Sequence, residues 1–386
     1  MNRVLNIFTS LRLTVICLVL ALGLVFIGTI AQVKLGLYIV QDQFFNSYFI
    51  WWKPQSGNFK IPVWPGGYLL GGLLLVNLIA AHIKRFELKR KKLGIFIVHA
   101  GLILLLVGQL FSQLMQVESY MAIEEGSSKN YSESGRASEL AVVDVTDAET
   151  DTVVAIPQKV IAGNKEIAHQ QLPFKIKIDS FFENADPKLD GEKLDFLQKP
   201  FEVAMEKRNI PAVHLTVQTD EGVKGPFALS NWQTEKNLIA IIADSFTRNF
   251  NEALVAPARF TYKARQYELA LRPVRYYKPY TIQLLDFTHD RYKGTEIPKN
   301  YSSRVKLMRP DTGENREVLI YMNNPLRYSG ETYYQGGFEP GDTISILQVV
   351  RNPSWITPYV ACAMVTIGLL FQFLSHLTAF AKKRIA

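Results

Sequence analysis

Four long apolar stretches constrain the fold of this 386-residue chain more than any other feature of its sequence. They cover approximately residues 13–31, 67–83, 93–117 and 359–381. Each is close to the ~20 apolar residues that a helix needs to cross the hydrocarbon core of a bilayer. Backbone polar groups in lipid must be satisfied within their own segment, which favours helices. We therefore expect four transmembrane helices.

The net charge of +8 is distributed unevenly along the chain. The basic residues beside the apolar stretches are Arg3, Arg12, Lys84, Arg85, Lys89, Arg90, Lys91, Lys92, Lys382, Lys383 and Arg384. The long segment 118–355 is consequently net negative, which argues against nucleic-acid binding. Lys and Arg are enriched in the cytoplasmic loops of membrane proteins. The pattern predicts a multi-pass membrane protein with both termini cytoplasmic and segment 118–355 extracytoplasmic.

Segment 118–355 changes from continuous apolar runs to alternation of apolar and polar residues. Such alternation indicates half-buried strands, and it recurs at residues 140–145, 152–156, 174–180, 212–217, 260–265, 280–287, 304–308, 317–321 and 343–350. Short strands separated by turn residues favour a β-sandwich or barrel-like domain. The charged residues 184–199 are expected to form a surface loop or a short helix.

The expected fold is thus an α+β membrane protein, with four transmembrane helices and a mainly β domain inserted between helices 3 and 4. Its predicted parts are an N-terminal membrane part (1–117), the β-rich domain (118–355) and a fourth span with a basic tail (356–386). Residues 44–64 contain an aromatic segment too short to span. They favour an interfacial helix or aromatic belt, with a ligand-pocket wall as the alternative.

Few residues in the sequence carry recognisable chemistry. The sequence lacks a P-loop, a dinucleotide-binding glycine motif, an HExxH motif and a CxxC motif. The two cysteines, Cys17 and Cys362, both fall in apolar stretches, so a disulfide in the β-rich domain is not expected. Enzymatic activity of the chain by itself therefore stays open.

His99 is the one ionisable residue between positions 93 and 117. Ionisable side chains inside a membrane are costly and usually functional, and histidine is a common axial ligand of haem iron. His376 is a second candidate, because both histidines lie about 10 Å in from a basic flank at 1.5 Å per residue. His82 is expected at the interface. The single histidines His169, His214 and His289 are expected to have ordinary structural or surface roles.

Several motifs resemble those of the ResB-like (CcsB) cytochrome c biogenesis proteins of the System II pathway. They are residues 10–14 (SLRLT), 98–108 (VHAGLILLLVG), 120–126 (YMAIEEG), 286–295 (DFTHDRYKGT), 298–305 (PKNYSSRV) and 323–335 (NNPLRYSGETYYQ). Residues 351–353 read RNP where many members have Asp-Pro-Gly. The resemblance covers nearly the whole chain.

The resemblance implies a subunit of a holocytochrome c synthase in a bacterial-type cytoplasmic (inner) membrane. Such proteins act with a CcsA/ResC-type membrane protein to export haem b and attach it to apocytochrome c. A thiol-disulfide reductase is a further implied partner. A histidine at the position of His99 is a haem ligand in such complexes, paired with a histidine of the partner. His376 is a less favoured second ligand.

A second hypothesis is a scaffold that stabilises the partner and binds apocytochrome without touching haem. A third is a divergent ResB-like protein that serves another exported assembly. The sequence does not separate these alternatives from the haem-binding one.

The charge distribution yields a prediction about topology. In a variant with Cys17 and Cys362 replaced by serine, a cysteine introduced at Ser134 should react with a membrane-impermeant maleimide added outside intact cells. A cysteine introduced at Ala386 should react only after the membrane is opened. Labelling of position 134 from the cytoplasmic side alone would contradict the positive-inside assignment.

Overall fold

A computed structural model describes residues 6–52, 54, 59–84, 92–190, 193–203, 209–233, 256–295, 298–338 and 343–385. The chain divides into two compact units. The helical unit comprises Met1–Gln116, Val203–Lys207 and Asn352–Ala386, and the β unit comprises Val117–Glu202 and Arg208–Arg351. Each unit is described separately below.

The helical unit contains α1 (Leu11–Val40), α2 (Gly67–Lys84), α3 (Leu93–Met115) and α5 (Thr357–Ile385). All four are long and apolar enough to cross a membrane. The four apolar helices expected from the sequence are therefore present, and their insertion into a membrane stays a prediction. A short helix, α4 (Gln158–Gly163), belongs to the β unit.

Helix α1 is longer than the apolar stretch that predicted it, and it changes direction at Gly36. Gly36 has φ 75° and ψ 156°, outside the helical region. A Cβ atom at this position would lie 2.1 Å from the carbonyl oxygen of Val203. Glycine meets both demands, since it adopts positive φ without a steric penalty and lets backbone approach closely.

The aromatic segment forms two paired strands, so the interfacial helix considered for it is wrong, and its role as an aromatic belt stays a prediction. A π-helical turn at Gln41–Phe45 leads into β1 (Phe49–Trp52), which pairs antiparallel with β2 (Ile61–Pro65). Aromatic side chains fit strands well. The indole Nε1 of Trp64 donates a hydrogen bond to the carbonyl of Leu20 at 3.2 Å, which fastens the hairpin to α1.

Polar and small residues join the helices. The amide of Asn77 on α2 donates to the carbonyl of Phe8 at 2.7 Å and accepts from the hydroxyl of Thr14 at 2.6 Å. Such side-chain bonds are typical of contacts between membrane-spanning helices. The closest approach is between α3 and α5, at Gly94, Gly101 and Gly108, each seven residues from the next.

The β unit is built from strands β3 to β18, and a mainly β domain is confirmed. Their bounds are β3 Val117–Glu124, β4 Ser128–Asp144, β5 Thr152–Pro157, β6 Glu166–Ala168, β7 Lys175–Phe182, β8 Ala185–Asp190, β9 Lys193–Gln198, β10 Ala212–Thr219, β11 Gly222–Ser230, β12 Ala258–Tyr262, β13 Arg265–Arg291, β14 Pro298–Arg309, β15 Glu314–Tyr321, β16 Leu326–Tyr328, β17 Glu331–Phe338 and β18 Ile344–Arg351.

Strand β13 organises this unit. A ten-stranded sheet has the order β15-β14-β13-β4-β3-β18-β17-β16, with β12 also paired to β13 and β5 to β4. A four-stranded sheet, β11-β10-β7-β6, shares one hydrophobic core with the β4, β5 and first β13 part of the large sheet. Leu269 of β13 belongs to that core and Ile282 to a second core. The unit is therefore sandwich-like around the first core.

Within residues 184–199, Ala185–Asp190 forms β8 and Lys193–Gln198 forms β9, so the expected loop or short helix is wrong. The two strands pair with each other antiparallel. Phe196 is 1% exposed and packs with Ala185 and Ala212. The charged residues between the few apolar ones obscured the alternation that would have predicted this hairpin.

The glycine contacts between α3 and α5 predict a position-specific effect. In Gly94→Leu, the new Cβ would lie 2.7 Å from the carbonyl oxygen of Gly368. We expect a destabilisation of about 1–3 kcal/mol, typical of overpacking, visible as a lower Tm in detergent. Gly71→Leu on α2 is the control, since a Cβ there has no heavy atom within 4 Å. Equal Tm losses in both variants would contradict this packing.

Candidate functional site

The side chain of His99 is held in one orientation by its own helix. It lies in the second turn of α3 and is half-buried. Its Nδ1 is 2.8 Å from the carbonyl oxygen of Ile95. Because a carbonyl oxygen only accepts, Nδ1 carries the proton and donates. The lone pair is therefore on Nε2, the arrangement in which a histidine binds a metal through Nε2.

His82 lies beside His99, which the sequence did not predict. His82 is in the last turn of α2. The centroids of the two imidazole rings are 6.0 Å apart, and the ring planes differ by 45°. The ring of Phe96, one turn before His99 on α3, lies 4.5 Å from that of His82. The described residues thus place two imidazoles and a phenyl ring together at one end of the α2–α3 pair.

His376 occupies a different position. It is on α5, which packs along the glycine side of α3. His99 precedes Gly101 by two residues, about 200° around a helix with 3.6 residues per turn. The amide of Gln372 donates to Nε2 of His376 at 2.7 Å. Among the described residues, the structure therefore brings His82 rather than His376 next to His99.

The surroundings of His99 suit a flat apolar ligand. Ile95 and Leu102 share its side of α3 and are 46% and 40% exposed. Such apolar surface fits either lipid or a porphyrin. A neutral imidazole with its lone pair on Nε2 can bind haem iron axially. The residues present are thus compatible with haem, although they form no cluster of three or more metal-ligating side chains within the described part of the chain.

In the β unit, His214 links three strands. Its Nδ1 is 2.7 Å from Ser180 Oγ on β7, and its Nε2 is 2.6 Å from Asp195 Oδ1 on β9. Burial raises the pKa of Asp195, but hydrogen bonds from His214 and from the backbone N–H of Phe196 outweigh it and hold the pKa below its ordinary value. The arrangement fastens the β8–β9 hairpin to the four-stranded sheet.

The other two histidines of the β unit lie elsewhere. The imidazole of His289 packs against Phe338 with 4.1 Å between ring centroids. His169 accepts a hydrogen bond from the backbone N–H of Gln171 at 3.3 Å. The three histidines belong to different parts of the unit.

The most specific family motif, 323–335, builds a buried polar network. Glu331 pairs with Lys278 and accepts hydrogen bonds from the hydroxyls of Tyr280 at 2.8 Å and Tyr333 at 2.9 Å. Burial, and next the neighbouring Tyr280, raise the pKa of Tyr333 above its ordinary value, so both tyrosines stay neutral donors. Glu331 therefore has a structural role.

Gln335 in the same motif belongs to a second network. Its carbonyl accepts from the hydroxyl of Ser303 at 2.7 Å, and its amide donates to Ser345 Oγ at 3.0 Å. Both serines are fully buried. Buried polar groups need such partners, because an unpaired one costs about 1–3 kcal/mol. The motif thus specifies how β14, β17 and β18 fit together.

Two comparisons with known proteins agree with the resemblance of the sequence motifs to the ResB-like family. The model of the ResB-like family matches residues 238–346. Protein NrfI of Wolinella succinogenes is 25% identical over 315 residues, which cover 80% of this chain and 30% of NrfI. The chain therefore spans less than a third of the length of that relative. The solved structure of Cytochrome c Heme Lyase CcmF aligns with 79% of this chain and 30% of its own, at 10% identity and a TM-score of 0.22. A TM-score this low does not support any inference about fold or function.

Four apolar helices and a mainly β unit define a candidate multi-pass membrane protein with one large β unit. The family match falls in that domain and includes the motifs at 286–295, 298–305 and 323–335. The resemblance to the ResB-like (CcsB) proteins that these motifs predicted is confirmed by the family match and by the similarity to NrfI.

The buried ion pair in motif 323–335 yields a stability prediction. Glu331→Ala would leave the ammonium of Lys278 buried without its partner, since the two side chains are 12% and 6% exposed. Breaking a buried pair in this way costs about 3–5 kcal/mol. The measurement is urea unfolding of the full chain, followed by near-ultraviolet circular dichroism.

Glu317→Ala is the matched control, because this carboxylate is 57% exposed and 3.8 Å from Arg304. Exposed pairs contribute about 0–1 kcal/mol. If both variants unfolded at the same urea concentration, the structural role assigned to Glu331 would be wrong.

Proposed function

We propose that this protein takes part in cytochrome c maturation, as the haem-binding subunit of a System II complex that exports haem and attaches it to apocytochrome c. The partner is a CcsA/ResC-type membrane protein. The proposal is supported by the ResB-like family match and by the similarity to NrfI.

The geometry of His99 is the observation that carries the haem-binding part of this proposal. Its Nδ1–H is engaged by the carbonyl of Ile95, so Nε2 is the atom that can bind iron. When bound, haem supplies the iron and the vinyl groups that react with the thiols of apocytochrome c. The residues of this chain bind and orient the porphyrin and exclude water from it.

The β unit would receive apocytochrome c on the extracytoplasmic side. The sequence of this unit contains no recognised catalytic motif, and its most specific family motif serves internal packing. Strand addition at a sheet edge is one way to hold an unfolded polypeptide. Among the described residues, strand β15 ends the strand order of the ten-stranded sheet and is the candidate for such an edge.

The buried networks also favour a second candidate function. Glu331 and Gln335 are used internally, as expected of a rigid scaffold. In that case the chain would stabilise its partner and bind apocytochrome c without contacting haem. The two candidates differ in whether His99 binds iron.

Replacement of His99 separates the two candidates. In the complex with a CcsA/ResC-type partner, His99→Ala and His99→Gly should remove most of the co-purifying haem and stop cytochrome c maturation. The physical reason is loss of an axial ligand. The measurements are the Soret absorbance per mole of purified complex and the amount of haem-stained cytochrome c in cells.

His376→Ala is the control, since the imidazole it removes is bonded to Gln372 of its own helix. It should retain most of the haem. Exogenous imidazole should restore haem to His99→Gly better than to His99→Ala, because glycine leaves more space. A full haem load with normal maturation in His99→Ala would favour the scaffold.

A further inference from the structure

The pair formed by His82 and His99 carries an inference beyond the role of His99 alone. His82 was expected only to lie near the lipid headgroups, yet its ring is 6.0 Å from that of His99. A haem bound through one imidazole has a second axial position on its iron. The sequence suggested a partner protein or His376 for that position, and the structure offers a nearer residue.

The separation of the two rings is compatible with a shared metal ion. Two imidazoles that bind one ion place their centroids apart by two metal–nitrogen bonds of about 2.0–2.1 Å each, plus the distance from each nitrogen to its ring centre. The observed 6.0 Å between the ring centroids is close to that sum when the two metal–nitrogen bonds point in nearly opposite directions. The tautomer fixed by Ile95 puts the lone pair of His99 on Nε2.

The place of the pair in the helices gives a flat macrocycle access. His82 is in the last turn of α2, and His99 is in the second turn of α3. The ligand would therefore enter near the end of the helix pair, where it does not have to separate the full length of two packed helices. Phe96 supplies an aromatic face beside His82, at 4.5 Å and 32° between ring planes.

The basic residues near His82 and His99 are complementary to the anionic propionates of haem. Haem carries two anionic propionates on one edge of an apolar ring. Lys84 follows His82 by two residues, and Lys92 precedes α3. In the sequence, the seven residues between these lysines include four basic residues and one acidic residue, Glu87. An apolar site with a cationic border is complementary to a porphyrin dicarboxylate.

We propose that His82 is the second axial ligand of the haem iron bound to His99 while this chain holds haem alone, and that an imidazole of the partner membrane protein later replaces His82. This inference rests on the proposed function. In the exchange, one iron–nitrogen bond to His82 breaks and one to the partner forms. The oxidation state of the iron is unchanged, and the iron keeps two axial imidazoles before and after transfer.

The test uses the full chain, expressed without the partner, purified in detergent and titrated with haemin. The wild-type chain should bind one haemin and give the absorption and electron paramagnetic resonance spectra of six-coordinate, low-spin iron. His82→Ala should still bind haemin through His99 but lose the low-spin signal. Added imidazole should restore that signal by occupying the vacant axial position.

Two further variants keep the test specific. His82→Met should stay six-coordinate and have a higher reduction potential, since a thioether ligand raises the potential of haem relative to a second imidazole. His376→Ala is the matched control and should leave the spectrum and the potential unchanged. Circular dichroism and size-exclusion profiles equal to those of the wild type would establish that each variant is folded.

The outcomes distinguish this inference from the proposed function. An unchanged low-spin spectrum in folded His82→Ala would overturn the role of His82 and leave that of His99 intact. The absence of haemin binding to the wild-type chain alone, or a loss of haemin in His82→Ala that imidazole does not restore, would overturn it as well. Retention of haem by His99→Ala in the complex would instead overturn the proposed function.

Discussion

Close contact between α3 and α5 determines which side of α3 is covered by α5 and which side, the one with His99, can face α2. Gly94, Gly101 and Gly108 let the two helices approach until backbone and side-chain atoms of α5 occupy the space where a Cβ would be. Without a hydrophobic driving force between helices in lipid, such small-residue contacts supply much of the packing. His99 is on another side of α3, where it meets His82 of α2.

Different interactions stabilise the helical unit and the β unit. In the helical unit, close glycine contacts, the bonds of Asn77 and an apolar cluster that includes Leu24, Phe44 and Leu70 hold the elements together. In the β unit, apolar residues of alternating strands form two cores, and β13 contributes to both. Buried polar networks around Glu331 and Gln335 then specify how the strands of the second core fit together.

These networks change how the family motifs should be understood. Motif 323–335 could be mistaken for a ligand-binding signature, because it contains charged and aromatic residues close together. Its Glu331 and Tyr333 point to each other and to Tyr280 inside the fold. Motif 323–335 is therefore largely a packing motif, whereas the proposed haem ligand, His99, is in α3.

The sequence by itself predicted the apolar helices, the β character of the long middle segment and the resemblance to ResB-like proteins, and it singled out His99 as a candidate site. These follow from local properties, namely hydropathy, alternation, motif spelling and the cost of an imidazole in lipid. It did not determine the hairpin at 49–65, strands β8 and β9, or the pairing of His82 with His99. Each of these depends on contacts between residues distant in sequence or on which sides of neighbouring helices meet. Only the tertiary structure decided them, because the hydropathy pattern of one segment does not specify which other segment packs against it.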